Sequence, residues 1–119
     1  TASLNNRFAP LTGLKTDAVL NVDDDMRVSC TALKFAHEVW RANPRQLVGW
    51  IPRTSVERGD PESGTHHHVY RRWWTVWWRG EYNIILTKAA FMHRDYLALY
   101  TNYSPKAMLR FVEEARNCE

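Results

Sequence analysis

The chain has 119 residues, 45 % of them apolar and 24 % charged, with a formal net charge of +3. That length and apolar content fit one folded domain and exclude disorder as the default state, and Lys and Arg interleaved with acids argue against a nucleic-acid-binding face. No apolar run approaches the ~20 residues that cross a bilayer, and two cysteines, Cys30 and Cys118, are too few for a disulfide framework, although they could pair with each other.

Asn5-Asn6-Arg7-Phe8 is followed by the breakers Pro10 and Gly13, which predict a helix end before Arg7 and a loop over residues 8–15. The planar fork of Arg7 suits a phosphate or a carboxylate, or it stands as a surface charge. Residues 17–22 read as a buried strand that runs straight into Asp23, Asp24 and Asp25. Three adjacent carboxylates repel one another, so the triplet implies either an opposing cation or full hydration. Strand alternation would put Asp23 and Asp25 on one side and Asp24 on the other, at the carboxyl end of a strand, where α/β sheets collect ligands. Oxygen donors placed together there suit a hard divalent ion.

A helix is predicted from an N-cap at Ser29 or Thr31 to Ala42, with Leu33, Ala36, Val39 and Trp40 at helical spacing and Asn43-Pro44 as its stop. His37, beside that stripe, reads as a packed or partly exposed residue rather than a ligand. Residues 46–51 read as the next strand, and the order strand, helix, strand implies parallel pairing. Residues 53–70 read as a polar insertion whose run His66-His67-His68 would point to alternate faces and could not easily chelate one ion. Trp73, Trp74, Trp77 and Trp78 then allow two readings: a core strand or covered sheet face, or a platform for a flat ring such as a sugar. After a turn at Gly80-Glu81, a strand is predicted over residues 82–87 and a helix over about 88–100. Ser104-Pro105 opens a last helix, whose Met108, Phe111, Val112 and Ala115 are expected to dock on the sheet.

Taken together, Asn6-Arg7-Phe8, residues 16–25, Val39-Trp40 with Leu47-Val48-Gly49, residues 82–91, residues 96–100 and Asn117-Cys118-Glu119 resemble the exostosin-type glycosyltransferases, glycosyltransferase family 64. The resemblance runs through nearly the whole chain in order, and makes residues 1–119 a partial catalytic domain. It implies an α/β fold of the GT-A type, a Rossmann-like sandwich, and Mn²⁺-dependent transfer of a sugar with retention of configuration. The donor implied is a nucleotide sugar, UDP-linked as the first expectation with GDP-mannose among the candidates. The acceptor implied is a glycan or a glycosylinositol-phosphoceramide-like lipid. By position, Asp25 matches the metal-holding carboxylate, Asp23 and Asp24 the rest of the acidic motif near the nucleotide, and Arg7 an arginine contacting the nucleotide. Glu119 matches the first of two adjacent acidic residues at the reaction centre. Ala2 stands where many members have an asparagine, and Lys88 replaces the glycine of heparan-type members, as in the plant-type branch that acts on sphingolipid head groups. The resemblance also implies a further strand and a partner for Cys118 beyond residue 119, so the 119 residues alone are expected to be inactive. It implies a lumenal domain of the Golgi or endoplasmic reticulum, attached to the membrane only through segments outside this chain. The rival from a different class is a non-catalytic carbohydrate-binding or scaffold domain built on the tryptophans.

Overall fold

The computed structural model describes residues 3–115 as a mixed α/β arrangement with two three-stranded antiparallel sheets. In the first sheet, β1 (Ala18–Val22) and β2 (Val48–Gly49) flank a central strand far along the chain, Ala89–His93, which becomes β6 below. Both flanking strands are antiparallel to it. They therefore run in the same direction as each other, as a strand, helix, strand order favours, but they do not pair, and the expected parallel ladder is replaced by two antiparallel ones.

Between them lies α1 (Cys30–Ala42), started by the Ser29 hydroxyl, which accepts from the Ala32 N–H at 3.2 Å, and ended at Asn43, whose N–H donates to the Trp40 carbonyl. Its apolar stripe is amphipathic as read. Ala36 and Trp40 are buried against Phe91 of the central strand, with Leu20, Leu33, Val48 and Trp50 completing the cluster. Gly49 is required at the β2 contact: a Cβ there would lie 2.6 Å from the Ile85 side chain and 2.7 Å from the Ala89 carbonyl oxygen.

Residues 53–70 are not a loose insertion. β3 (Pro52–Gly59) and β4 (His66–Arg71) form a hairpin in register at Val56 and Val69, and β3 also pairs with β5 (Ile84–Ile85). The tip is held by Asp60, whose carboxylate accepts from the Glu62 N–H at 3.0 Å and the Ser63 hydroxyl at 2.7 Å. Those bonds favour the ionised form and hold the Asp60 carboxyl below its ordinary pKa. His66 Nδ1 lies 3.3 Å from a Glu57 carboxylate oxygen and His68 Nδ1 3.5 Å from the Ser55 hydroxyl, and both partners are on β3.

The tryptophans form a helix, α2 (Trp73–Arg79), not a core strand. Spacings of one and four residues place four rings on one arc, and only Val76 is buried. Gly80 ends the helix in the left-handed region, φ 69°, where its N–H reaches the Val76 carbonyl at 2.7 Å.

The stretch expected to be helical over residues 88–100 begins instead with the strand β6 (Ala89–His93), in which Ala89 to Met92 are all buried. A run apolar on every side reads alike as a covered strand or a buried helix, and here the second sheet face wins. The helix follows as α3 (Asp95–Tyr103), and α4 (Lys106–Ala115) comes after it. α4 docks on a 3-10 helix over Leu4–Phe8 rather than on the sheet, leaving Met108 and Phe111 exposed. No helix among the described residues is long and apolar enough to cross a membrane.

Candidate functional site

The register of the first sheet builds the site. Val22 pairs with Ala89, and the next step carries Asp23 alongside Lys88, its N–H donating to the Lys88 carbonyl at 2.7 Å. The Asp23 carbonyl then accepts from the Met26 N–H, so the acidic triplet turns a corner instead of continuing the strand. Strand alternation stops at Val22. Asp23 and Asp25 consequently face different cations, where an extended chain would have pointed them together.

Arg7, in the last turn of the 3-10 helix, places one guanidinium nitrogen 3.0 Å from Asp23 Oδ1 and donates with the other to the Thr87 hydroxyl at 3.2 Å. Both partners of the ion pair are about three-quarters buried, at 24 % and 23 % side-chain exposure. The short helix that presents Arg7 is itself fixed by α3 and α4. Asn5 donates its amide to the Leu109 carbonyl at 3.0 Å, the Tyr100 hydroxyl donates to Asn5 Oδ1 at 2.8 Å, and the Phe8 and Tyr100 rings sit 4.3 Å apart. Lys88 Nζ lies 3.0 Å from Asp25 Oδ2, whose side chain is 61 % exposed, and Asp24 is exposed on the same turn. Two side-chain cations, Arg7 and Lys88, thus stand opposite the triplet.

Arg7, Asp23, Thr87, Lys88, Tyr70 and Tyr100 line a cavity of about 250 Å³. It shares Phe8, Thr87 and Tyr100 with a larger hollow of about 800 Å³, walled mainly by Tyr96, Leu99, Tyr103 and Met108. A cavity that sets the charges of Arg7, Asp23 and Lys88 among Leu4, Phe8, Leu86 and Val112 thus adjoins a larger, mainly aromatic and apolar one.

The described residues contain no cluster of three or more His, Cys, Asp or Glu placed to hold a metal. One or two carboxylates with accessible oxygens at a strand end are nonetheless the donor set that a small hard cation uses when substrate phosphates and water complete its shell. Both Asp23 and Asp25 pair with a side-chain cation at 3.0 Å, and Asp25 has the more accessible carboxylate, 61 % exposed against 23 % for Asp23.

Of the residues singled out in the sequence, the fold brings Arg7 and Asp23 together and sets Asp24 and Asp25 beside them. Glu119, Cys118 and Ala2 lie outside the described residues, and Cys30 is an exposed free thiol at the start of α1. His37 packs between Trp40 and Phe91, with ring centroids 6.1 and 5.5 Å away. Reading missed Thr87, the cationic role of Lys88, and Asn5 with Tyr100. The signal for Thr87 and Lys88 was the β1–β6 register, hidden by the helical reading of residues 88–100, whereas Asn5 and Tyr100 meet through the packing of the 3-10 helix on α3.

The family model described as "Glycosyl transferase family 64 domain" matches residues 1–119. The chain is 44 % identical over 117 residues to "Glycosylinositol phosphorylceramide mannosyl transferase 1" of Arabidopsis thaliana, a match covering 98 % of this chain and 35 % of that protein. It is 37 % identical over 117 residues to "Exostosin-1a" of Danio rerio, covering 98 % of this chain and 15 % of the relative. To "Exostosin-1" of Bos taurus it is 35 % identical over 117 residues, covering 98 % of this chain and 14 % of the relative. The chain thus spans about a third or less of the length of these relatives. With the family model matched from end to end, the chain belongs to glycosyl transferase family 64.

Proposed function

We propose that these residues form part of the catalytic domain of a retaining glycosyltransferase of the GT-A type, the part that receives a nucleotide-sugar donor and Mn²⁺. The observation that carries this reading is the meeting of Arg7, Asp23, Thr87 and Lys88 around one cavity at the carboxyl end of β1, in a chain of this family. β1 and β2 run in the same direction with α1 between them, which fits the start of such a sandwich.

In this reading Asp25 holds the metal, Asp23 and Asp24 shape the polar rim near the nucleotide, and Glu119 stands at the reaction centre. When bound, Mn²⁺ supplies Lewis-acid neutralisation of the charge that grows on the departing diphosphate. Arg7 is held rigidly by the 3-10 helix and presents a planar donor set to the nucleotide, with Thr87 and Asp23 fixing its orientation. Lys88 adds positive charge where the phosphates lie and orients the Asp25 carboxylate. The donor is a UDP-linked sugar or GDP-mannose. The Arabidopsis relative's name points to a mannosyl donor and a glycosylinositol phosphorylceramide acceptor, and the exostosin names to a glycan. A lumenal Golgi or endoplasmic-reticulum location goes with this reading.

Isothermal calorimetry with UDP and GDP, each with and without Mn²⁺, tests it. Nucleotide affinity should depend on Mn²⁺, and Asp25→Asn should remove most of that dependence, because a neutral amide is a poorer ligand for a hard cation. Equal affinities with and without the ion, or an unaffected variant, would overturn the reading and favour the non-catalytic carbohydrate-binding module.

A further inference from the structure

The two cations opposite the triplet are held in different ways. Arg7 is fastened to Asp23 at 3.0 Å and to the Thr87 hydroxyl at 3.2 Å, on a short helix packed by α3 and α4. Its guanidinium is a rigid planar fork, so it has little room to change partner. Lys88 is suited to the opposite behaviour. Its backbone is pinned, because its carbonyl accepts the Asp23 N–H at 2.7 Å one step beyond the β1–β6 ladder. Its ammonium ends a long flexible stem and lies 3.0 Å from Asp25 Oδ2. That carboxylate is 61 % exposed, and an ion pair so open to water shifts an equilibrium by only about two- to fivefold. The contact is strong enough to be the resting arrangement and weak enough to exchange.

Lys88 also belongs to two places. It lines the cavity of about 250 Å³ together with Arg7 and Asp23, whereas Asp25 is not among the described residues that line it. Its stem therefore joins the chamber assigned to the nucleotide and the carboxylate assigned to the metal. Each ligand needs something that the pair ties up. A divalent cation needs the Asp25 oxygen that Lys88 holds, and meets a like charge beside it. A diphosphate needs a counter-charge in the cavity, and a lysine ammonium is a suitable point-charge partner. Turning Lys88 from Asp25 to a phosphate serves both, because it frees the carboxylate and supplies the cavity with a cation.

We propose that Lys88 is an exchangeable latch on the metal carboxylate: it rests on Asp25 before nucleotide binds and moves to the diphosphate afterwards, so that nucleotide and metal bind cooperatively. The inference rests on the donor-site reading and adds to it the origin of a coupling between the two ligands. Such coupling is reciprocal, each ligand raising the affinity of the other by the same factor. Metal arriving without nucleotide must displace Lys88, and its apparent affinity is reduced by the fraction of molecules in which the pair is open.

Calorimetry on the full-length protein measures Mn²⁺ affinity without nucleotide and at saturating UDP or GDP, and the affinity of that nucleotide without metal. In the wild type, nucleotide should tighten Mn²⁺ binding. Lys88→Met should tighten Mn²⁺ binding in the absence of nucleotide about two- to fivefold and lower the coupling factor to the same extent, while weakening nucleotide binding in the absence of metal. Arg27→Met removes an equal charge from an exposed position two residues after Asp25 and should have a much smaller effect on all three quantities. Nitrogen NMR of the lysine ammonium groups reads the exchange directly. The Lys88 signal should move when nucleotide is added without metal, and Asp25→Asn should move it before any ligand is added. Mn²⁺ binding that is unchanged or weaker in Lys88→Met, an equal effect of Arg27→Met, or a Lys88 signal indifferent to nucleotide overturns the latch and leaves the donor-site reading standing. Nucleotide affinity independent of Mn²⁺ in the wild type overturns that reading and the latch with it.

Discussion

Arg7 and Lys88 each answer one carboxylate of the triplet, but in different solvent. Asp23 is three-quarters buried and Asp25 is mostly exposed. Arg7→Ala leaves Asp23 partly buried without its charged partner, which should cost about 1.5 to 3 kcal/mol in urea unfolding, whereas Lys88→Ala should cost less than about 1 kcal/mol because water screens the Asp25 pair. Equal losses would mean that the Arg7 pair is no more than a surface contact. At the hairpin tip, the depressed pKa of Asp60 gives its contribution a sign. The ionised carboxylate holds the turn, so its stabilisation is present above the ordinary carboxylate pKa and is lost as pH falls through the lowered folded value. Protection of the Glu62 amide, its exchange rate relative to the intrinsic rate at the same pH, should fall on acidification across that interval, and Asp60→Ala should remove the step. At this scale much of the site was legible. Asp23 to Asp25 and Arg7 stand out because charge in those patterns needs an answer, but which cation answers which acid depends on a turn at residues 23–26 that strand alternation does not foresee.

The elements differ in how far their neighbours, rather than their own residues, decide them. Gly49 lets β2 approach β6 and Ile85 too closely for any side chain, so Gly49→Ala should displace the Ala89 carbonyl and cost about 1 to 3 kcal/mol, with faster exchange of the β2 and β6 amides. Retained stability would show that the strands shift freely. Trp40 and Trp77 make an internal contrast between buried and exposed rings. Trp40→Ala should cost about 3 to 5 kcal/mol, and Trp77→Ala should stay within about 0.5 kcal/mol. α1 could be read from sequence because cap, stripe and stop agree with one another. β6 could not, since Ala89-Ala90-Phe91-Met92 is apolar throughout and only its sandwiching between β1 and β2 makes it a strand. The core-strand reading of the tryptophans failed for the converse reason. Their spacing is helical, yet their apolarity suggested burial, which the one-sided anchoring of α2 by Val76 denies them.

For the whole molecule, surface outweighs core. The accessible area is 9462 Å², against about 6,700 Å² expected for a compact protein of 14.0 kDa, and the Cα radius of gyration is 16.3 Å against about 13.5 Å. The excess goes with the division of the strands into two three-stranded sheets, β1-β6-β2 and β4-β3-β5, which meet only narrowly. Among the described residues only eight hydrophobic side chains are buried, three of them alanines, while Phe35, Phe111, Tyr103 and the α2 tryptophans remain exposed. Burial at roughly 25 cal/mol per Å² is the main term that offsets chain entropy, so a core this small leaves little margin. The 119-residue chain expressed alone should therefore unfold over a broad temperature range and bind a hydrophobic dye before unfolding, with far-UV circular dichroism outlasting the near-UV signal. A sharp, cooperative transition with no dye binding beforehand would show that these residues fold tightly without further apolar cover.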